Sequence, residues 1–94
     1  MRLREEERKA IVTSVLRIDP AAEIYLFGSR VDDNRKGGDI DVLILSGILN
    51  FVDKLAIKKS LFRTLDEQKI DIVIARDKQT PFVALALEKS IRLQ

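Results

Sequence analysis

The sequence predicts one small α/β (α+β) domain, in which a mixed sheet of about three strands is flanked by helices in the order α-β-loop-β-α-β-α. Its length of 94 residues suits a single domain over 1–94. Its composition, 46% hydrophobic and 34% charged, is too apolar for a disordered chain and too charged for a membrane span. Short β-branched runs also alternate with stretches of helical periodicity. Because the first residues lack the apolar core of a secretory signal, we expect the protein in the cytoplasm.

The first two elements are a helix and a strand. Residues 2–18 open with mixed charge and then place apolar side chains near one side of a helix. Asp19-Pro20 ends this helix, because proline disfavours helical geometry at the preceding residue. Glu23–Phe27 is short, β-branched and aromatic, which predicts a strand that ends at Gly28. The apolar face of the helix is predicted from Ala10, Ile11, Val15 and Ile18.

A polar stretch and a buried strand come next. Residues 30–38 have no apolar periodicity and predict a surface loop or a single helical turn, with Gly37-Gly38 making the return turn. Ile40–Leu45 is a nearly continuous apolar run with Asp41 set into it. This pattern is typical of a strand that is buried on both faces.

The second half of the chain adds two helices and a third strand. Helical spacing after Gly47 predicts a second helix of about five turns. Ile70–Ala75 predicts a third strand, again with a carboxylate inside it. Thr80-Pro81 supplies an N-cap hydroxyl and a first-turn proline for a last helix that reaches Arg92. The second helix is predicted from the apolar positions Ile48, Val52, Leu55, Ala56, Phe62 and Leu65.

The connections bring polar residues from three strands to one edge of the sheet. The second helix is long enough to cross over between two parallel strands, whereas the connection after the first strand is too short and implies an antiparallel neighbour. The end of the first strand and the beginnings of the other two therefore meet. The residues expected at this edge are Gly28, Ser29, Asp39, Asp41 and Asp71.

The acidic residues at this edge predict a divalent metal site. Asp39 and Asp41 leave the same face of one strand, and Asp71 lies near the start of its parallel neighbour. Clustered carboxylates beside apolar residues raise one another's pKa unless a cation neutralises them. The chain has no histidine and no cysteine, so oxygen ligands favour Mg²⁺ or Mn²⁺. Buried salt bridges to lysine or arginine, or an ordinary turn at Asp39, are the alternatives.

Gly28-Ser29 predicts a phosphate-binding turn. A glycine lets backbone N–H groups approach an anion closely, and a helical turn that starts at Ser29 adds its own N–H groups and hydroxyl. Arg30, Arg35 and Lys36 follow on the loop, within reach of triphosphate oxygens. A plain turn with solvated side chains is the alternative, and the chain contains neither G-x-x-x-x-G-K-[ST] nor G-x-G-x-x-G.

A strand followed by Gly28-Ser29, then Asp39 and Asp41 in a second strand and Asp71 in a third, closely resembles the signature of the DNA polymerase beta-like nucleotidyltransferase superfamily. The small size is similar to the minimal nucleotidyltransferase (MNT) group, often paired with a HEPN-domain protein in toxin–antitoxin modules. The resemblance implies a nucleotidyltransferase fold. It also implies that Asp39 and Asp41 hold two metal ions that carry a nucleoside triphosphate. Asp71 would ligate the catalytic metal and activate the attacking hydroxyl, and Gly28 and Ser29 would hold the phosphates.

We therefore expect metal-dependent transfer of a nucleoside monophosphate, AMP from ATP, onto a hydroxyl of a partner protein such as a HEPN-type helical protein. A non-catalytic nucleotide-binding module that neutralises its partner by contact is the alternative. A purely structural domain, whose acids pair with Arg30 or Lys36, is a third reading.

Other partner classes are less compatible with the composition. The 17 basic and 15 acidic residues nearly balance, and the five aromatic residues lie mostly inside apolar runs, so direct nucleic-acid binding is not expected. No membrane partner is expected either. A homo-oligomer stays open, with Leu3, Leu87 and Leu93 as apolar positions for either an interface or the core.

Overall fold

The computed structural model of the protein describes residues 3–32, 39–65 and 69–94. The three predicted strands are confirmed with their predicted bounds. The predicted helix start at Arg2 and the predicted turn at Gly37-Gly38 lie outside the described residues. In chain order the elements are α1 (Glu5–Leu16), β1 (Glu23–Phe27), a 3₁₀ turn (Gly28–Val31), β2 (Ile40–Leu45), α2 (Phe51–Thr64), β3 (Ile70–Ala75), α3 (Pro81–Glu88) and β4 (Ile91–Arg92).

The strands form a mixed four-stranded sheet in the order β3-β2-β1-β4. As predicted, β1 is antiparallel to β2, and β2 is parallel to β3. The prediction of a last helix that reaches Arg92 is wrong, because α3 ends at Glu88 and Ile91–Arg92 pairs antiparallel with β1. This pairing gives the free edge of β1 a partner, and the Leu93 N–H donates to the Ile24 carbonyl at 2.7 Å.

The sheet has a core on each face. On one face, alternate strand residues pack against α1 through Ile11 and Val15, and against α2 through Ile57 and Leu61. On the other face, Val83 of α3 covers part of the sheet. The three apolar positions that the sequence left between interface and core belong to these cores. Leu93 is buried, and Leu3 and Leu87 are partly buried against them.

The predicted apolar face of α2 is wrong at every position except Leu65, which is buried as predicted. Most of the positions that predicted it face solvent, and the buried residues are Ile57, Leu61 and the following Leu65. The helix carries apolar residues on two sides, and only the side with Ile57 and Leu61 meets α1 and the sheet. The exposed members of the predicted set are Ile48 (60%), Val52 (71%), Leu55 (50%), Phe62 (55%) and Ala56.

Two helix ends also differ from the prediction. α1 ends at Leu16, ahead of Asp19-Pro20. The Thr80 hydroxyl makes no capping hydrogen bond, although Pro81 does occupy the first turn of α3 as predicted. No helix among the described residues is both long and apolar enough to cross a membrane.

Candidate functional site

The strand register sets two carboxylates side by side. Asp41 of β2 is the parallel partner of Asp71 of β3. Neighbouring strands lie about 4.8 Å apart, so the two side chains leave adjacent backbones. Because side chains alternate along a strand, both point to the face of the sheet that α3 partly covers, as Leu43 does. Both aspartates are half-buried, and Asp39 lies just before β2, also half-buried.

The charges at this position disfavour an ionised Asp41. Its pKa is raised, first by burial and then by the negative charges of Asp71 and Asp39, while the positive charge of Lys69 opposes the rise. The Lys69 ammonium lies 3.5 Å from Asp39 Oδ2 in an exposed ion pair. Among the residues that the structure describes, the ion pair found at these carboxylates is the one between Lys69 and Asp39, while Lys36, a possible salt-bridge partner named from the sequence, lies outside the described ranges.

Gly28 lies directly against the Asp41 carboxylate. Phe27, the last residue of β1, is the antiparallel partner of Asp41, and the 3₁₀ turn begins at the next residue. Gly28 has φ +76°, a conformation that side chains disfavour, and a Cβ atom there would overlap Asp41 Oδ2. The chain therefore needs glycine here both for its backbone conformation and for the close approach of the carboxylate.

The phosphate-binding residues predicted from the sequence are only partly described. The backbone of Ser29 belongs to the 3₁₀ turn, but its hydroxyl lies outside what the structure describes. Arg30 is half-buried in the same turn. Arg35 and Lys36 lie outside the described residues. Of the predicted site residues, the structure places Gly28, Asp41 and Asp71 next to one another, and Asp39 lies near enough for its charge to raise the Asp41 pKa.

The donor set suits a hard divalent cation that binds through few protein ligands. In the described ranges no three acidic or other ligating side chains are grouped closely enough to hold a metal ion between them. Asp41 and Asp71 are nevertheless adjacent, offer only oxygen donors, and have a charge repulsion that a cation would relieve. Mg²⁺ is commonly held by one or two carboxylates, with phosphate and water as its other ligands. The residues therefore fit Mg²⁺ bound together with a phosphate substrate.

The structure adds two features to the site that sequence reasoning missed. One is Lys69, whose position directly before a strand that carries Asp71 was its only signal. The other is a cavity of about 320 Å³ beside Gly28, bordered by Phe27 and Leu85. The cavity forms where α3 faces the 3₁₀ turn, a contact between distant segments that no local sequence pattern indicates.

A larger cavity, of about 570 Å³, lies at the opposite end of the strands and is not part of this site. The polar residues beside it have structural partners. The Ser46 hydroxyl donates to Asp19 Oδ2 at 2.5 Å and accepts from the N–H groups of Ile48 and Leu49. These hydrogen bonds stabilise the connection from β2 to α2, so they give Ser46 and Asp19 a structural role.

Similarity to solved structures shows the fold. One similar chain is in a toxin–antitoxin complex with AMP-PNP (TM-score 0.75, 22% identity, 93% of this chain and 72% of that chain). Another is in the MntA-HepT toxin–antitoxin complex (0.71, 20%, 97% and 72%). A third is in a complex of tri-AMPylated Shewanella oneidensis HEPN toxin with MNT antitoxin (0.70, 22%, 94% and 69%).

Comparison of the sequence with protein families shows the family to which the chain belongs. A search of curated protein sequences gives no significant match. The sequence profile of the family described as Polymerase beta, Nucleotidyltransferase matches residues 11–94, which include the 3₁₀ turn and all three aspartates. By this match over most of its length, the chain belongs to the polymerase beta nucleotidyltransferase family.

Proposed function

We propose that this domain transfers AMP from ATP, with Mg²⁺ or Mn²⁺, onto a hydroxyl of a HEPN-type partner protein in a toxin–antitoxin pair. The observation that carries the proposal is the register of Asp41 with Asp71, directly against the turn at Gly28. Two adjacent half-buried carboxylates can hold a cation that carries a triphosphate, and the turn lies close enough to bind the same triphosphate.

The comparisons support the reaction class and the partner. Family membership supports nucleotidyl transfer. A tri-AMPylated HEPN toxin accompanies the MNT antitoxin in the Shewanella oneidensis structure, which supports AMP as the transferred group and a HEPN-type protein as its acceptor.

The residues divide the work of the reaction between them. The acceptor hydroxyl oxygen bonds to the α-phosphorus, and the bond from that phosphorus to the pyrophosphate oxygen breaks with its electron pair. Asp71 takes the hydroxyl proton on a carboxylate oxygen, while the turn at Gly28 orients the phosphates. Asp39, Asp41 and Asp71 would hold two ions, which when bound supply charge neutralisation for the triphosphate and the leaving pyrophosphate.

The alternative is a nucleotide-binding module that neutralises its partner by contact alone. This alternative is favoured by the exposed apolar side of α2, where Leu55 is 50% exposed and Phe62 is 55% exposed. Exposed apolar side chains of this kind are typical of a surface that contacts another protein. Contact and catalysis make different predictions for a labelled substrate.

Label transfer separates the two functions. The protein is incubated with Mg²⁺, a HEPN-type candidate partner protein, and ATP labelled at either the α- or the γ-phosphate. We expect label on the partner from the α position only, and its loss in Asp71→Asn. Asp77→Asn, at an exposed aspartate near the other end of β3, is the matched control and keeps transfer. Transfer of the γ label, or full transfer by Asp71→Asn, would refute the proposal. Binding of Mg·ATP without any transfer would favour the contact role.

A further inference from the structure

The solvent-facing side of α2 carries a row of apolar side chains that nothing in the described structure covers. Phe51 is 69% exposed, Leu55 50% and Phe62 55%. Together with the exposed Lys58, these residues form what we call the α2 stripe. Isolated apolar residues are ordinary on a protein surface, but several large ones aligned on one face of a helix are typical of an interaction site.

The spacing of the α2 stripe is that of a helix that packs against another helix. Its members, at positions 51, 55, 58 and 62, are four, three and four residues apart. This alternation keeps the side chains along one line of the helix and is the repeat by which two helices interlock. The row begins just after Ile48, which is also exposed at 60%. The shape of the stripe therefore fits a helix rather than a strand or a flat surface.

The charges on α2 indicate which charges a partner helix must carry. The helix contains four basic residues and only one acidic residue, Asp53. The Asp53 carboxylate accepts the N–H of Asn50 at 3.0 Å and so caps the helix start. The basic residues are Lys54, Lys58, Lys59 and Arg63. Lysines beside and within an apolar row attract a helix with acidic flanks, and they repel a second copy of α2.

A small cavity continues the stripe at its first turn. It has a volume of about 260 Å³ and lies between the start of α2 and the end of β3, lined in part by Phe51, Lys54 and Arg76. Both charged residues here are again basic. An acidic side chain on the partner helix would find two cations at this end.

We propose that the α2 stripe binds an amphipathic helix of a different protein, with apolar residues at heptad spacing and acidic residues beside them. The stripe lies on the side of the sheet that α1 and α2 cover, whereas Asp41 and Asp71 face the α3 side. The α2 stripe is therefore a surface separate from the aspartate edge. Binding of a helix to it does not depend on the transfer reaction and can be measured without nucleotide.

The test uses the full chain and two fluorescent heptad-repeat peptides. Both peptides carry leucine at the two seam positions, and the flanking positions are glutamate in one and lysine in the other. Fluorescence anisotropy measures binding at low and at high salt. We expect the acidic peptide to bind, with affinity that falls as salt rises, and the basic peptide not to bind.

Substitutions locate the binding. Leu55→Glu should weaken binding of the acidic peptide at least about tenfold. Lys58→Glu should weaken the acidic peptide and strengthen the basic one. Leu85→Glu, at a similarly exposed leucine on α3, is the matched control and leaves binding unchanged. Thermal unfolding checks that each variant is folded, and Phe62→Ser replaces Leu55→Glu if that variant is not.

Four results would overturn the proposal. Binding of neither peptide, or equal binding of both, would remove the acidic helix as the occupant. Binding of the acidic peptide that the folded Leu55→Glu variant retains would place it elsewhere on the chain. A dimer in light scattering that Leu55→Glu breaks would make a second copy the occupant instead.

Discussion

Replacement of Gly28 by alanine tests whether the Asp41 carboxylate packs so closely against the turn that no side chain fits at this position. The residue has φ +76°, and a left-handed conformation costs a residue with a side chain about 1–2 kcal/mol. The new methyl group would also overlap Asp41 Oδ2. Rotation of the Asp41 side chain away from its preferred rotamer, which would relieve the overlap, costs about 0.5–1.5 kcal/mol. Alanine restricts the unfolded chain and returns about 0.4–1 kcal/mol. We expect Gly28→Ala to lower the free energy of unfolding by about 1–3 kcal/mol.

Urea denaturation measures this loss, and Gly47 supplies the matched control. No atom lies within 4 Å of a Cβ built at Gly47, and its φ lies outside the positive range that disfavours side chains. Gly47→Ala should therefore leave stability unchanged or raise it by up to about 1 kcal/mol. Equal stability of the two variants would refute the reasoning, because only Gly28 has the positive φ and the close neighbour.

A double-mutant cycle separates the backbone cost from the collision. In Asp41→Ala the carboxylate is gone, so Gly28→Ala should cost less there by the collision energy, about 0.5–1.5 kcal/mol. An unchanged cost would show that the carboxylate is not the obstacle. In the wild-type background, the displaced Asp41 should also abolish transfer of the α label, whereas Gly47→Ala keeps it.

Two further predictions concern stability. The pKa of Asp41 is raised in the native state, so as pH rises from acid the unfolded chain loses this proton first and native stability falls until the raised pKa is passed. Asp41→Asn should thus be more stable than wild type at neutral pH and lose that advantage below the usual carboxyl pKa, as urea denaturation at the two pH values will show. Ser46→Ala removes a partner from Asp19 and from two N–H groups and should cost about 2–4 kcal/mol in the same assay. Ser14→Ala, which removes only a bond to a helix carbonyl, should change stability by less than about 0.5 kcal/mol, and an equal loss in both variants would contradict this account.

The strands, and the sheet edge at which the aspartates lie, could be predicted because the local residue pattern and the lengths of the connections agree. Ile40–Leu45 and Ile70–Ala75 are apolar runs interrupted only by one aspartate each, with polar residues at both ends, and each is a strand with those bounds. Connection length then decided which neighbours are parallel. Once β2 and β3 are parallel, the similar positions of Asp41 and Asp71 near the strand starts bring them to one edge.

Features that depend on contacts between distant segments could not be predicted in this way. The α2 sequence has apolar residues on two sides, and its packing against α1 selects the side with Ile57 and Leu61. Likewise Ile91–Arg92 continues a helical pattern but finds hydrogen-bond partners on the free edge of β1. In both cases the tertiary structure overrides a local periodicity that was ambiguous by itself.

The two surfaces of this chain should be separable by mutation, because the sheet lies between them. Asp41 faces the α3 side, and Leu55 lies on the helix that covers the other side. Asp41→Asn should therefore lose α-label transfer while it binds the acidic peptide as wild type does. Leu55→Glu should lose the peptide while Mg·ATP still raises its melting temperature, since only a ligand of the folded state stabilises it. Loss of both properties in either folded variant would mean that the two surfaces are coupled through the sheet. The same pair of variants then distinguishes a partner that is modified from one that is only bound. A role by binding alone is retained in Asp41→Asn, whereas a role that requires modification of the partner is lost.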